Sequence, residues 1–127
     1  MHDQDIAIVK GLIPVAWADG VFADREKEMI SALLDAYAAT DKEKQDLLAF
    51  ASERRTIDDI ALQDLSADDR RVLLQHAVLL TFADGDQSTE ELDFLIELGK
   101  RLRIPHDEAT ELLSAGADRA KKLLNLL

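Results

Sequence analysis

Shifting the chain along itself by 65 positions superposes Ala18-Asp19-Gly20 on Ala83-Asp84-Gly85, Glu26 on Glu91, Ile30 on Leu95 and Leu33 on Leu98. Further on it superposes Glu43 on Glu108 and Leu47-Leu48 on Leu112-Leu113, with Trp17 meeting Phe82 just before the first match and no gap anywhere. The coincidences fall on a turn, on one acid in the helix that follows, and on an apolar face. A repeat of this length implies two copies of a three-helix unit, each too small to bury a core alone, packed face to face about a pseudo-twofold axis. The first helix of each copy should be central, because Gly11-Leu12-Ile13-Pro14-Val15-Ala16-Trp17-Ala18 and the window 77–83 are apolar nearly all round.

Composition narrows the class. The 127 residues include 47% hydrophobic and 32% charged side chains, an ordinary globular ratio that permits one core without covalent staples. Helix formers dominate, and no run alternates as a half-buried strand would. Helices are expected at about 4–18, 24–38, 42–53, 57–63, 67–83, 89–102, 106–115 and 117–126, an all-α fold of seven or eight helices in one domain, with repeats at about 4–53 and 67–118. Ser66 with Asp69, and Ser88 with Glu91, have the spacing of capping boxes, while Gly20, Gly85 and Pro105 supply stops.

Charge and cysteine count restrict the function. Twenty-six acids against 15 bases leave a formal charge of −11, which repels nucleic acid and anionic membranes and suits a cation or a basic protein surface. The absence of cysteine excludes disulfides, thiolate metal sites and cysteine nucleophiles, but leaves oxygen-ligand metal sites open. Met1-His2-Asp3-Gln4-Asp5 is acidic where a secretory leader would be basic. The most apolar window is far short of the ~20 residues that span a bilayer. A soluble chain in a reducing cytoplasm is expected.

The phrase Ala16-Trp17-Ala18-Asp19-Gly20, followed by Glu26 and an apolar helix, resembles the signature of the TerB-like tellurite-resistance family. The second half is similar again, with Thr81-Phe82-Ala83-Asp84-Gly85, Ser88-Thr89-Glu90-Glu91, and Leu102-Arg103-Ile104-Pro105 leading into Glu108-Ala109-Thr110-Glu111-Leu112-Leu113. The resemblance covers most of the chain. It implies an all-helical domain of two pseudo-symmetric halves, an acidic surface that binds divalent cations such as calcium, and a part in metal or stress response. A related module forms the amino-terminal part of a DnaJ-like co-chaperone, whose membrane anchor and J domain have no counterpart in this sequence. The positions matching the family motif are Asp19, Gly20, Glu26, Asp84, Gly85 and Glu91. Ala23 departs from it, for Ser88 provides a capping residue at that place in the second copy.

Two readings of the Asp-Gly turns compete. A carboxylate at a helix C-terminus is disfavoured by the macrodipole, so Asp19 and Asp84 need compensation. They could cap free amides of the turn while the glycine takes the left-handed conformation, or hold a cation together with carbonyl oxygens and Glu26 or Glu91. Neither turn is an EF-hand. Counted from Asp84, positions one, three, five and seven are Asp84, Asp86, Ser88 and Glu90, but the sixth is Thr89 instead of Gly and the twelfth is Leu95 instead of Glu. The candidate metal ligands are Asp19, Glu26, Asp84, Asp86, Glu90 and Glu91, with the second copy better furnished. Acidity is concentrated there too, with six acids and no base from Asp84 to Glu97, against four acids and two bases from Asp19 to Ala32.

No catalytic constellation is present. His76 on an apolar helix reads as a structural histidine and His106 as a solvated first-turn residue. The residues three before them, Leu73 and Arg103, rule out the Glu-x-x-His pairs of a di-iron bundle. Arg54-Arg55, Arg70-Arg71, Lys100-Arg101 with Arg103, and Lys121-Lys122 read as ordinary surface pairing. Ala117, Ala120, Leu123, Leu124 and Leu127 form a stripe that could dock on the domain or pair with a second copy. The leading expectation is a non-catalytic module that binds or senses a divalent cation, with no organic cofactor. The alternative is an adaptor whose acidic face recruits a basic protein while the Asp-Gly turns serve only as structure.

Overall fold

The computed structural model describes residues 2–18, 20, 22, 24–82 and 87–123. Among them are six α-helices and no strand: α1 (Asp3–Ala16), α2 (Asp24–Ala36), α3 (Asp41–Ala51), α4 (Ala67–Thr81), α5 (Thr89–Arg101) and α6 (His106–Leu123). Two 3₁₀ turns, Ile57–Asp59 and Leu62–Asp64, join α3 to α4. The ends of α1 and α2 and the starts of α2 and α3 each lie 65 residues before those of α4, α5 and α6 in turn.

Helix starts follow from local chemistry. Thr40, Ser66 and Ser88 each accept a hydrogen bond from the amide three residues on, and the acid there accepts one from the cap amide. Each box satisfies two amides that the helix itself leaves open. The ends of α2 and α5 are also alike. Ala38 and Arg103, the positive-φ non-glycine residues at 57° and 59°, are again 65 apart. The amides of Ala38 and Ala39 donate to Asp35 and Leu34, and those of Arg103 and Ile104 to Lys100 and Gly99, which is the Schellman pattern.

The core lies between α1 and α4, the most extensively packed pair. Ile8, Val9, Leu12, Ile13 and Val15 from α1 meet Leu73, Leu74, Ala77, Val78 and Leu80 from α4, all essentially withdrawn from solvent. Each of the valine, leucine and isoleucine side chains among them contributes about 1.5–3 kcal/mol of burial. α2 and α3 contact α1, while α5 and α6 contact α4.

Two expectations are corrected. Helices expected at 106–115 and 117–126 are one helix, α6, over its described length. Gly116 does not break it, because a Cβ there would stand 3.0 Å from Val78 Cγ1 and the glycine lets α6 approach α4. The helix expected at 57–63 is instead the pair of 3₁₀ turns. Ile60 and Leu65, each just after one of these turns, are buried as separate anchors, and Arg70 donates to the carbonyls of Leu62, Leu65 and Leu102 at 3.0, 3.2 and 3.3 Å. The count is therefore six α-helices among the described residues, not seven or eight.

Candidate functional site

The acidic second half centres on α5. Glu91, Leu95, Leu98 and Gly99 form its buried face, and Glu90, Asp93 and Glu97 lie exposed on the opposite side. The three carboxylates are spaced i, i+3 and i+7, so they line one face of the helix. No ion pair among the described residues involves any of them. Some acids elsewhere are matched, among them Asp35 with Lys44 at 2.7 Å, Asp58 with Arg101 at 2.9 Å, and Glu108 in a two-pronged pair with Arg71. The Arg71 guanidinium holds the Glu108 carboxyl below its ordinary pKa.

Beside the acidic face runs an apolar groove between α5 and α6, of about 690 Å³. Leu92 and Ile96 form its α5 wall, Leu113 and Ala117 its α6 wall, and Ile104 lies at the connection, with Lys100 and His106 also lining it. Leu92 and Ile96 are 40% and 43% exposed, unusual for large aliphatic side chains. A second cavity, of about 360 Å³, lies among α1, α2 and α4, where His76 is the one polar residue in an otherwise apolar lining that includes Leu12, Met29, Leu33 and Leu79. Burial pushes the His76 imidazole below its ordinary pKa.

Of the candidate metal ligands, Asp19, Asp84 and Asp86 lie outside the described residues, as does Gly85. Gly20 takes the left-handed conformation expected of it, with φ of 85°. Glu26 and Glu91 are each only 6% exposed and are the third residues of α2 and α5. The Glu91 carboxylate accepts from the Ser88 amide at 2.9 Å, so part of its role is capping. Glu90 is exposed. No group of three or more histidine, aspartate or glutamate side chains converges among the described residues. Around the turns, Trp17 Nε1 donates to the Ala51 carbonyl at 3.1 Å, and Gln87 Nε2 donates to Thr81 Oγ1 at 2.9 Å.

Leu92 and Ile96 are not among the residues expected from the sequence to form a site. Their signal was present: α5 carries apolar residues at 92, 95, 96 and 98, a stripe wider than the buried face requires. The basic pairs behave as surface or structural groups. Arg55 stacks over Phe50 at 3.9 Å and donates to its carbonyl, Arg70 clamps three carbonyls, and Arg71 and Arg101 are paired. No described helix is long and apolar enough to cross a membrane. Comparison of the chain with protein-family profiles, with curated proteins and with solved structures gives no match.

Proposed function

We propose that the chain is a non-catalytic interaction module whose α5 face recruits a basic protein. The observation that carries this reading is the row Glu90, Asp93 and Glu97, three exposed carboxylates on one helix face that take part in no ion pair among the described residues. Like charges at this spacing cost a helix a few tenths of a kcal/mol per pair, a cost that a cationic partner removes. The pseudo-twofold arrangement of two three-helix units belongs to the same reading. It is supported by helix ends and Schellman turns that recur 65 residues apart.

The test is binding of a lysine-rich peptide to two charge-matched triple variants. Glu90→Gln/Asp93→Asn/Glu97→Gln removes the row, and Glu28→Gln/Glu53→Gln/Asp64→Asn removes three exposed acids elsewhere. The first should weaken binding at least about tenfold more than the second at low salt, and the difference should shrink as salt rises. Equal losses would reduce the effect to net charge and overturn the proposal.

A second reading is a divalent cation held at the second Asp-Gly turn by Asp84, Asp86, Glu90 and Glu91, with a weaker counterpart at Asp19 and Glu26. It is supported by the resemblance to the TerB-like family and by the burial of two carboxylates at the same register of α2 and α5. Carboxylates with carbonyl oxygens are the ligands that calcium and magnesium take.

A further inference from the structure

The two halves of the chain act as each other's control. Stepping back 65 positions from Leu92, Ile96, Ala109 and Ala117 gives Lys27, Ser31, Lys44 and Ser52, while Ile104 and Leu113 step back to Ala39 and Leu48. The first half thus lacks the two aliphatic anchors of the α5 wall, although Leu113 is matched by Leu48, and the Lys44–Asp35 ion pair at 2.7 Å links α3 to α2 there. The acidic border is likewise confined to the second half, since Glu90, Asp93 and Glu97 correspond to Arg25, Glu28 and Ala32. The fold therefore does not require aliphatic anchors or an acidic row on the exposed side of this helix, and both occur together in one copy.

We infer that the groove between α5 and α6 is the docking site for a single amphipathic helix of a partner protein, with leucine-like anchors facing the groove and lysine or arginine along the flank that overlies Glu90, Asp93 and Glu97. This rests on the proposed recruitment of a basic protein and specifies how the partner is held. The groove floor is built from two helices, and its exposed anchors Leu92 and Ile96 are one turn apart, which matches the i, i+4 spacing of a helix laid alongside. From Leu92 to Lys100 the wall runs about 12 Å, or two turns. The acids lie along one edge of the apolar strip, so the complement is a helix with adjoining apolar and cationic faces. A second copy of this chain fits poorly. Each copy carries −11, and the apolar side of its α6 is already committed to α4, with Ala120 fully buried and Gly116 against Val78.

The experiment uses a fluorescent leucine–lysine peptide of about 18 residues with its leucines on one helical face, and a permuted peptide of the same composition with leucines all round. Binding is read by anisotropy on the full chain. The amphipathic peptide should bind at least about tenfold more tightly than the permuted one. Leu92→Lys/Ile96→Ser, which installs the residues of the first half at exposed positions, should remove that preference while leaving circular dichroism and the unfolding midpoint unchanged. If both peptides bind equally and Leu92→Lys/Ile96→Ser is silent, the helix-in-groove inference falls while recruitment by the acidic face stands. If neither peptide binds, both fall. Dimerisation in sedimentation that Leu92→Lys/Ile96→Ser abolishes would make a second copy the occupant. An affinity that rises about tenfold on deletion of residues 124–127 would make the chain's own end the occupant. Either result overturns the inference.

Discussion

His76 occupies a position that the matching half fills with glycine: Gly11 stands 65 residues earlier, where a Cβ would come within 2.7 Å of Leu73 Cδ2. The imidazole instead borders a cavity whose other lining residues are apolar, from Leu12 through Leu80, and desolvation is what lowers its pKa. The sign of the consequence is definite. Between the lowered folded value and the unfolded value of about 6.5, the unfolded chain holds a proton that the folded chain lacks. Stability from this group is therefore complete above about pH 6.5 and declines as the pH falls through that window. His76→Leu should flatten the dependence of the unfolding midpoint between about pH 7 and pH 5.5, without removing the steeper loss in stronger acid. That second loss belongs to Glu43 and Glu108, whose pKa values are lowered by the Thr40 amide and by Arg71 respectively. Their contribution is present above about pH 4.3 and disappears below it. A midpoint profile unchanged by His76→Leu would show that His76 is hydrated in the folded protein.

At the level of elements, α2 and α5 end in the same Schellman turn, and neither uses glycine at the left-handed position. A side chain there costs roughly 1 kcal/mol against a glycine. Ala38→Gly and Arg103→Gly should each stabilise the fold by about 0.5–1 kcal/mol, since part of the gain is lost to the greater freedom of glycine in the unfolded chain. Chemical denaturation would read this as a raised midpoint with an unchanged slope, and a loss of stability in both variants would contradict the left-handed assignment. These turns also mark the limit of what the sequence discloses. The starts of α4 and α5 were legible because a capping box is local, a hydroxyl and an acid three residues apart. The end of α5 was marked by Pro105, but the left-handed turns that close α2 and α5 were not legible, because alanine and arginine give no local sign of a positive φ. The continuity of α6 was hidden because Gly116 has a tertiary reason, the approach to Val78, that resembles a break when only neighbours along the chain are considered. Ile57, Ile60, Leu62 and Leu65 have spacings a helix could use, yet the segment is two 3₁₀ turns, with Ile60 and Leu65 as buried anchors. The acidic row was readable from spacing on one helix. The groove was not, since it exists only where two helices meet.

For the molecule as a whole, the charge of −11 makes two effects of salt look alike, and separating them decides between the two readings of the acidic turn. Any salt screens self-repulsion, with a Debye length of about 10 Å at 0.1 M, and so raises the midpoint of an anionic protein. Most of that gain should come from α5, where three exposed carboxylates share a face without a cationic partner among the described residues. Glu90→Gln/Asp93→Asn/Glu97→Gln should therefore raise the midpoint by a few degrees at low salt, with the gain fading near 1 M sodium chloride. A bound divalent cation adds something that screening cannot. After chelation, calcium, magnesium or manganese at the same ionic strength as sodium chloride should raise the midpoint further, in proportion to the logarithm of free ion once the site is saturated. That increment should vanish in Asp84→Asn, which removes a carboxylate assigned to the site, and persist in Asp93→Asn, which removes only a charge from the exposed row. Coincident curves for sodium and the divalent ions would eliminate the cation reading and leave the acidic face of α5 as a surface for protein partners. A divalent increment lost equally in both variants would reduce it to counterion condensation on α5, because a coordinating site distinguishes one carboxylate from its neighbour and a diffuse ion atmosphere does not.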